Sequence, residues 1–178
     1  MTAEIFRRHG VFFGKTRKMG DGGVGYNENL TLKEIGRRLR KDCHDAILRR
    51  QDAVFAPDAF GDTWKAILES EGFKGGYWGA KVDAFCHRLF NDLPNHRVAI
   101  WRNEDDTVAS CMRAFRNKRS EDEWRRIVRA HHSHLKNLNL PTINTDAIMA
   151  GDHSSIEKAF EVCGLTYDRS IAETVIVR

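Results

Sequence analysis

The stretch SEDEWRRIVRAHHSHLKNL, residues 120–138, constrains the fold of this chain more than any other. Ser120 and Glu123 have the spacing of a capping box, in which each side chain satisfies a backbone N–H left over at a helix start. Behind them Trp124, Ile127, Val128, His131, Leu135 and Leu138 recur at helical period and trace one stripe. A helix patterned in this way has an apolar face to bury, so other parts of the chain must cover it. Pro141 closes the segment.

Two further pairs have the same capping spacing, Thr31 with Glu34 and Ser154 with Glu157. After the first, Leu32, Ile35, Leu39, Ala46 and Ile47 predict a helix over 31–51. After the second, Ile156, Ala159, Phe160 and Cys163 predict a short helix, and Gly164 is placed to take the left-handed conformation that stops it. Helices are also predicted over 62–71, with Trp64, Ile67 and Leu68, and over 79–91, with Val82, Phe85, Leu89 and Phe90 inward and Pro94 beyond. Between 97 and 117 the period changes to two. Val98 and Ile100, then Val108, Ser110 and Met112, alternate around the acidic turn Asn103–Asp106 and predict a hairpin. Further strands are predicted at 142–149, Leu165–Arg169 and Glu173–Val177.

These readings define one α+β domain over 1–178. Residues 1–30 are a flexible glycine-rich, basic arm. Residues 31–95 are a helical half packed on a mixed sheet of about five or six strands, supplied by 96–178. Six glycines fall within 10–29, but GDGGVG there has neither the spacing nor the following lysine of a phosphate loop. Apolar residues at 41% and charged residues at 30% suit a soluble chain with a core of its own. No apolar run approaches the ~20 residues of a membrane span, and MTAEIFRRHG has no apolar signal region. An intracellular protein with no membrane association is therefore expected.

From residue 97 the predicted order is strand, strand, long helix, strand, short helix, strand, strand, with DHSSIEKAFEVCGL before the last two. This layout resembles the carboxyl half of the GNAT N-acyltransferase fold, and Gly164-Leu165 stand where that family carries Gly-Phe. The resemblance implies acyl-coenzyme A as cofactor, gripped by a glycine-rich loop at the start of the long helix. Here that place reads RAFRNKRSEDEW, with no glycine and with Glu121, Asp122 and Glu123 opening the helix. Bare amides suit a diphosphate and carboxylates repel it. The family's usual tyrosine acid is replaced by Phe160, which has no proton to give. The chain thus looks closer to GNAT-like bacteriophage virion and morphogenesis proteins that keep the outline without the loop. That resemblance implies a non-catalytic protein without cofactor, acting by macromolecular binding, in a virion if the protein is of phage origin. The alternative is an active N-acyltransferase with an atypical site. There Glu157 or Tyr167 would serve as catalytic residue, and Arg116, Lys118, Arg119 and Ser120 would hold acyl-coenzyme A.

The net charge is +4 with a pI near 9.0. Residues 31–50 hold seven cations against three anions, 7 − 3 = +4, an excess equal to that of the whole chain. Lys15, Arg17, Lys18, Arg37, Arg38, Arg40 and Lys41 are therefore candidates for a polyanion or protein partner, with Tyr77 and Trp78 as stacking aromatics. A basic nucleic-acid-binding protein is the third reading. His131, His132 and His134 lack the i, i+4 spacing of a helical zinc pair. Cys43-His44 and Cys86-His87 are adjacent pairs on predicted helices, whose side chains diverge by ~100°. No metal site is expected from either set, and Cys43, Cys86, Cys111 and Cys163 read as reduced, packed thiols.

Overall fold

The computed structural model of the chain describes residues 1–16, 29–51, 60–115 and 118–176, with all their side chains except that of Arg38. Among these the order is α1 (Thr2–Arg8), α2 (Leu30–Leu48), α3 (Gly61–Ser70), a 3₁₀ helix (Ala84–Phe90), β1 (Ala99–Trp101), α4 (Glu104–Ala114), α5 (Glu121–Asn137), β2 (Thr142–Asn144), α6 (Thr145–Met149), α7 (Ser154–Val162) and α8 (Arg169–Glu173). The two strands pair in parallel, with Ala99 opposite Thr142, Ile100 opposite Ile143 and Trp101 opposite Asn144.

This overturns the expected α+β class. The described residues form a mostly helical protein whose one sheet has two strands of three residues. The second half of the expected hairpin is α4. The Asn103 side chain accepts from the N–H groups of Asp105 and Asp106 at 2.8 and 3.4 Å. Glu104, Asp105 and Asp106 then fill a first turn whose dipole favours acids. Val108 and Met112 fit a period of two, but Val108, Cys111 and Met112 also form an i, i+3, i+4 face, and that face packs on Trp124, Ile127 and Val128. The expected strand at 142–149 stops at Asn144, whose side chain caps α6 by accepting from Asp146 and Ala147. Asp168 does the same for α8 through Ser170 and Ile171, so neither terminal strand forms over 165–176. Three Asx caps, each satisfying orphan amides locally, thus take over chain that reads as extended.

The long helices follow the sequence more closely. α5 carries the expected capping box, with Ser120 Oγ accepting from the Glu123 N–H and the Glu123 carboxylate accepting from the Ser120 N–H at 2.8 Å. α2 begins one residue before the predicted start and ends at Leu48 rather than at 51, and its cap is the buried Asn29, accepting from Thr31 and Leu32 at 3.0 and 3.1 Å. Glu34, the expected capping partner, pairs with Arg37 instead. The Ser154–Glu157 box does not form, since the N-cap of α7 is His153 without a side-chain bond. Only 84–90 of the expected helix 79–91 is helical, as a 3₁₀ turn capped by Asp83. Residues 2–8, placed in the flexible arm, form α1 with Ile5 fully buried. Residues 17–28 of that arm lie outside the described residues.

Three apolar clusters hold these elements. The first joins Ile5 and Phe6 of α1 to Ile143, Ile148, Ile156, Ala159, Phe160, Ala172 and Val175. The second sets Leu32 of α2 against Trp64 and Leu68 of α3 and against Cys86, Leu89 and Phe90 of the 3₁₀ helix. The third is the α4–α5 face, closed by Ile47 and Leu48 at the end of α2. Burying residues of this size contributes roughly 1.5–3 kcal/mol per side chain before entropy is counted. Ion pairs tie the helices laterally. Arg125 bridges Glu104, Asp105 and Glu121, and Arg119 reaches Asp45 of α2 at 3.0 Å.

Candidate functional site

Between the three clusters lies a cavity of about 710 Å³. Each cluster supplies part of its wall: Phe6, Val11 and Phe13 from the first, Phe90 and Trp78 from the second, and Trp124, Ile127 and Val128 from the third. Leu135, Leu138 and Leu140 add to the apolar lining. The polar groups on it include Arg40, His44, Asp83, His87, Arg97, His131 and His132. This is the volume and character of a small-molecule site: an apolar body with a few convergent polar groups.

The polar wall is built by α2, α5 and the 3₁₀ helix. The face of α2 that carries Cys43 and Ala46 inward also turns His44 inward, and all three are buried. The stripe of α5 places His131 opposite, and His44 Nε2 and His131 Nε2 approach to 3.2 Å. At that distance one nitrogen carries a proton and the other offers its lone pair, which requires at least one neutral ring. Asp83 Oδ1 stands 3.7 Å from His131 Nδ1 and accepts the Phe85 N–H at 3.1 Å. Burial lowers the His44 pKa to about 4, aided by the charges of His131, Arg119 and Arg40 and opposed by Asp83. His131 is lowered for the same first reason, burial, against the pull of Asp83. The pair is therefore neutral at pH 7.

The three α5 histidines go to three destinations. His131 meets His44, His134 Nε2 lies 3.4 Å from His87 Nδ1, and His132 stacks on Trp101 at 4.0 Å. The sequence treats them as one run and sets metal ligation aside on their mutual spacing. The relevant neighbours come from other elements, and His131 lying on an apolar stripe was the one signal that pointed to them.

The other singled-out residues are dispersed. Glu157 is exposed on α7. Tyr167 is half-buried, with its hydroxyl 2.5 Å from His153 Nδ1. Burial first, then the charge of Glu157, pushes its pKa up to about 12, which suits a retained proton rather than a donated one. At the start of α5, Ser120 is committed to its capping box and Arg119 to Asp45, while Lys118 is exposed. Of the candidate basic face, Arg37 pairs with Glu34 at 2.7 Å, Arg40 lines the cavity, and Lys15 and Lys41 are exposed. Trp78 packs on Trp64 and Phe90 rather than standing clear, whereas Tyr77 is exposed and donates from its hydroxyl to the Gly164 carbonyl at 3.0 Å. Arg17, Lys18, Arg116 and the Arg38 side chain lie outside the described residues.

The thiols fit a packing role. Burial, then Asp83, pushes Cys43 up to about 11 and Cys86 up to about 12, so neither presents thiolate near neutrality. With iodoacetamide at pH 8, peptide mapping is expected to find Cys43 and Cys86 unmodified in the folded protein and alkylated in denaturant. Fast modification of either in the native state would contradict the buried placement.

The fold and site define a helical protein with a minimal parallel sheet and a central, polar-edged apolar cavity. No known protein family, curated protein or solved structure matches the chain. No helix among the described residues is long and apolar enough to cross a membrane.

Proposed function

We propose that this protein acts by binding rather than by acyl transfer, and that it holds a small amphiphilic molecule in the central cavity. The observation that carries the proposal is the cavity of about 710 Å³ where all three apolar clusters meet, with Arg40, His44 and His131 on one part of its wall. An apolar body fits the aromatic and leucine lining. A carboxylate or similar anionic head fits the side of Arg40. Burial of the apolar portion supplies affinity, at roughly 25 cal/mol per Å², and the polar groups set orientation.

Acyl-coenzyme A is disfavoured on two grounds. At the amino end of α5 the capping box occupies the Ser120 and Glu123 N–H groups, and the helix opens with three acidic residues. The position of the expected acid is Phe160, fully buried among apolar neighbours. Docking of a polyanion along α2 draws less support, because Arg37 is engaged by Glu34 and Arg40 faces the cavity.

The test is titration with an anionic naphthalene-sulfonate dye and with medium-chain fatty acids, read through dye emission and the fluorescence of Trp78 and Trp124, both of which line the cavity. One saturable site is expected, and Leu135→Trp, which adds bulk to the lining, should weaken it at least about tenfold. Dye uptake without saturation, or equal affinity in Leu135→Trp, would remove the reading. Acetyl-coenzyme A in the same assay should compete poorly.

A further inference from the structure

His44, Asp83 and His131 come from α2, from the residue capping the 3₁₀ helix and from α5, and one donor atom of each lies within 4.8 Å of the others. We propose that these three side chains form a binding site for a divalent transition-metal cation of the zinc class, with its fourth position open to the cavity. The inference does not depend on what else occupies the cavity.

Four observations converge. The donor set is two imidazoles and one carboxylate, the chemistry that zinc and its first-row neighbours take. In a tetrahedral site with bonds of about 2.0–2.1 Å the donor atoms stand about 3.3 Å apart. His44 Nε2 and His131 Nε2 are already at 3.2 Å, while Asp83 Oδ1 stands 3.7 Å from the other ring nitrogen of His131, Nδ1, so Asp83 has to turn toward the Nε2 side to share an ion with the pair. The widest separation, at most 4.8 Å, has to shorten by no more than about 1.5 Å, within reach of side-chain torsions. The ligands are also held in place. Asp83 is anchored by the Phe85 N–H, His131 lies edge-on against Phe85 at 4.6 Å, and His44 lies edge-on against Trp124 at 6.0 Å. Arg119 to Asp45 clamps α5 to α2 beside them. Finally, all three residues line the cavity, so three protein ligands with one exchangeable position is the arrangement that results.

Arg40 lines the same wall, and its charge opposes a dication. With one carboxylate against a 2+ ion the site would remain cationic, so the fourth ligand is expected to be an anion, hydroxide or a carboxylate. That makes metal and anionic guest mutually reinforcing at this wall.

Protein dialysed against a chelator is titrated with Zn²⁺ by calorimetry and with Co²⁺ by visible absorption. The expected result is one equivalent per chain at micromolar affinity or tighter, with the intense visible bands of tetrahedral cobalt. Asp83→Asn keeps an oxygen able to cap Phe85, so the variant should fold while losing at least about tenfold in affinity. His131→Gln should lose more, and His134→Gln, which removes a ring stacked on Phe85 and paired with His87 but none of the proposed ligands, should stay close to the parent. Far-UV dichroism establishes that each variant is folded. Absence of stoichiometric uptake, or equal uptake by Asp83→Asn, His131→Gln and parent, would overturn the site. The dye titration is run on the same metal-free protein, so failure of the metal site and failure of the cavity reading are separate results.

Discussion

Phe160→Ala is expected to lower the unfolding free energy by about 3–5 kcal/mol, a large part of the ~5–15 kcal/mol that a domain of this size has. The ring is fully buried, stacks on Phe6 at 4.3 Å, and meets His9 and Tyr167 edge-on at 4.7 and 5.1 Å. It thereby joins α1, α7 and the segment before α8. Truncation removes the transfer energy of the ring and leaves a cavity among side chains that already close around it, Ile156, Ala159 and Ala172. Urea denaturation reads the effect as a lower midpoint with an unchanged slope. A loss below about 1 kcal/mol would mean that this cluster does not pack as described. Phe160→Tyr supplies the proton donor that the acyltransferase resemblance would require. It should cost about 1–3 kcal/mol for a hydroxyl buried among apolar groups, and produce no acyl transfer.

The second large effect is acid sensitivity of the metal-free protein. His44 falls from an ordinary 6.5 to about 4 on folding, chiefly by burial, and His131 falls as well. The charged groups acting on the pair are Asp83, which favours protonation, and Arg40 and Arg119, which oppose it. A lowered folded pKa means that the unfolded chain takes up the proton first. No stability is lost through these groups above pH 6.5. Between about 6.5 and 4 the unfolded state binds more protons, so stability falls with falling pH. At about 1.4 kcal/mol per unit, His44 contributes a loss on the order of 3 kcal/mol across the window, and His131 adds to it. Thermal unfolding at pH 7.5, 6, 5 and 4 is expected to show a falling Tm that flattens in His44→Gln. An equal acid slope in that variant would assign the effect to the carboxylates elsewhere.

How much of this was readable from the sequence depended on how local the cause was. The stripe on α5, with Trp124, Ile127 and Val128 buried, followed from period and capping alone. On α7 the buried Ile156, Ala159 and Phe160 followed from period although the expected capping box did not form, and Gly164 takes the expected left-handed conformation at φ +67°. α4 was misread because Val108 and Met112 satisfy two periods at once. The choice between them rested on the Asn103 cap and on contact with Trp124 across the α4–α5 interface. The terminal strands failed for a related reason. Leu165 and Val175 are apolar, and Val175 is buried, but the intervening Asp168 satisfies the amides of a short helix, and the described residues offer no adjacent strand for pairing.

The site was less legible than the fold. His44 and His131 are 87 residues apart in the chain. Spacing arguments test ligands that share an element, and are silent on ligands that meet only through the packing of α2 against α5. What the sequence by itself determined is the two longest helices, α2 and α5, and the buried stripe of α5, because these follow from bonds and periodicities spanning a few residues. What only the tertiary structure decided is that the histidine stripe of α5 meets α2 and Asp83 across a cavity. That outcome depends on how three apolar clusters pack around one another, a balance of contacts between residues far apart in the chain, to which local patterning is blind.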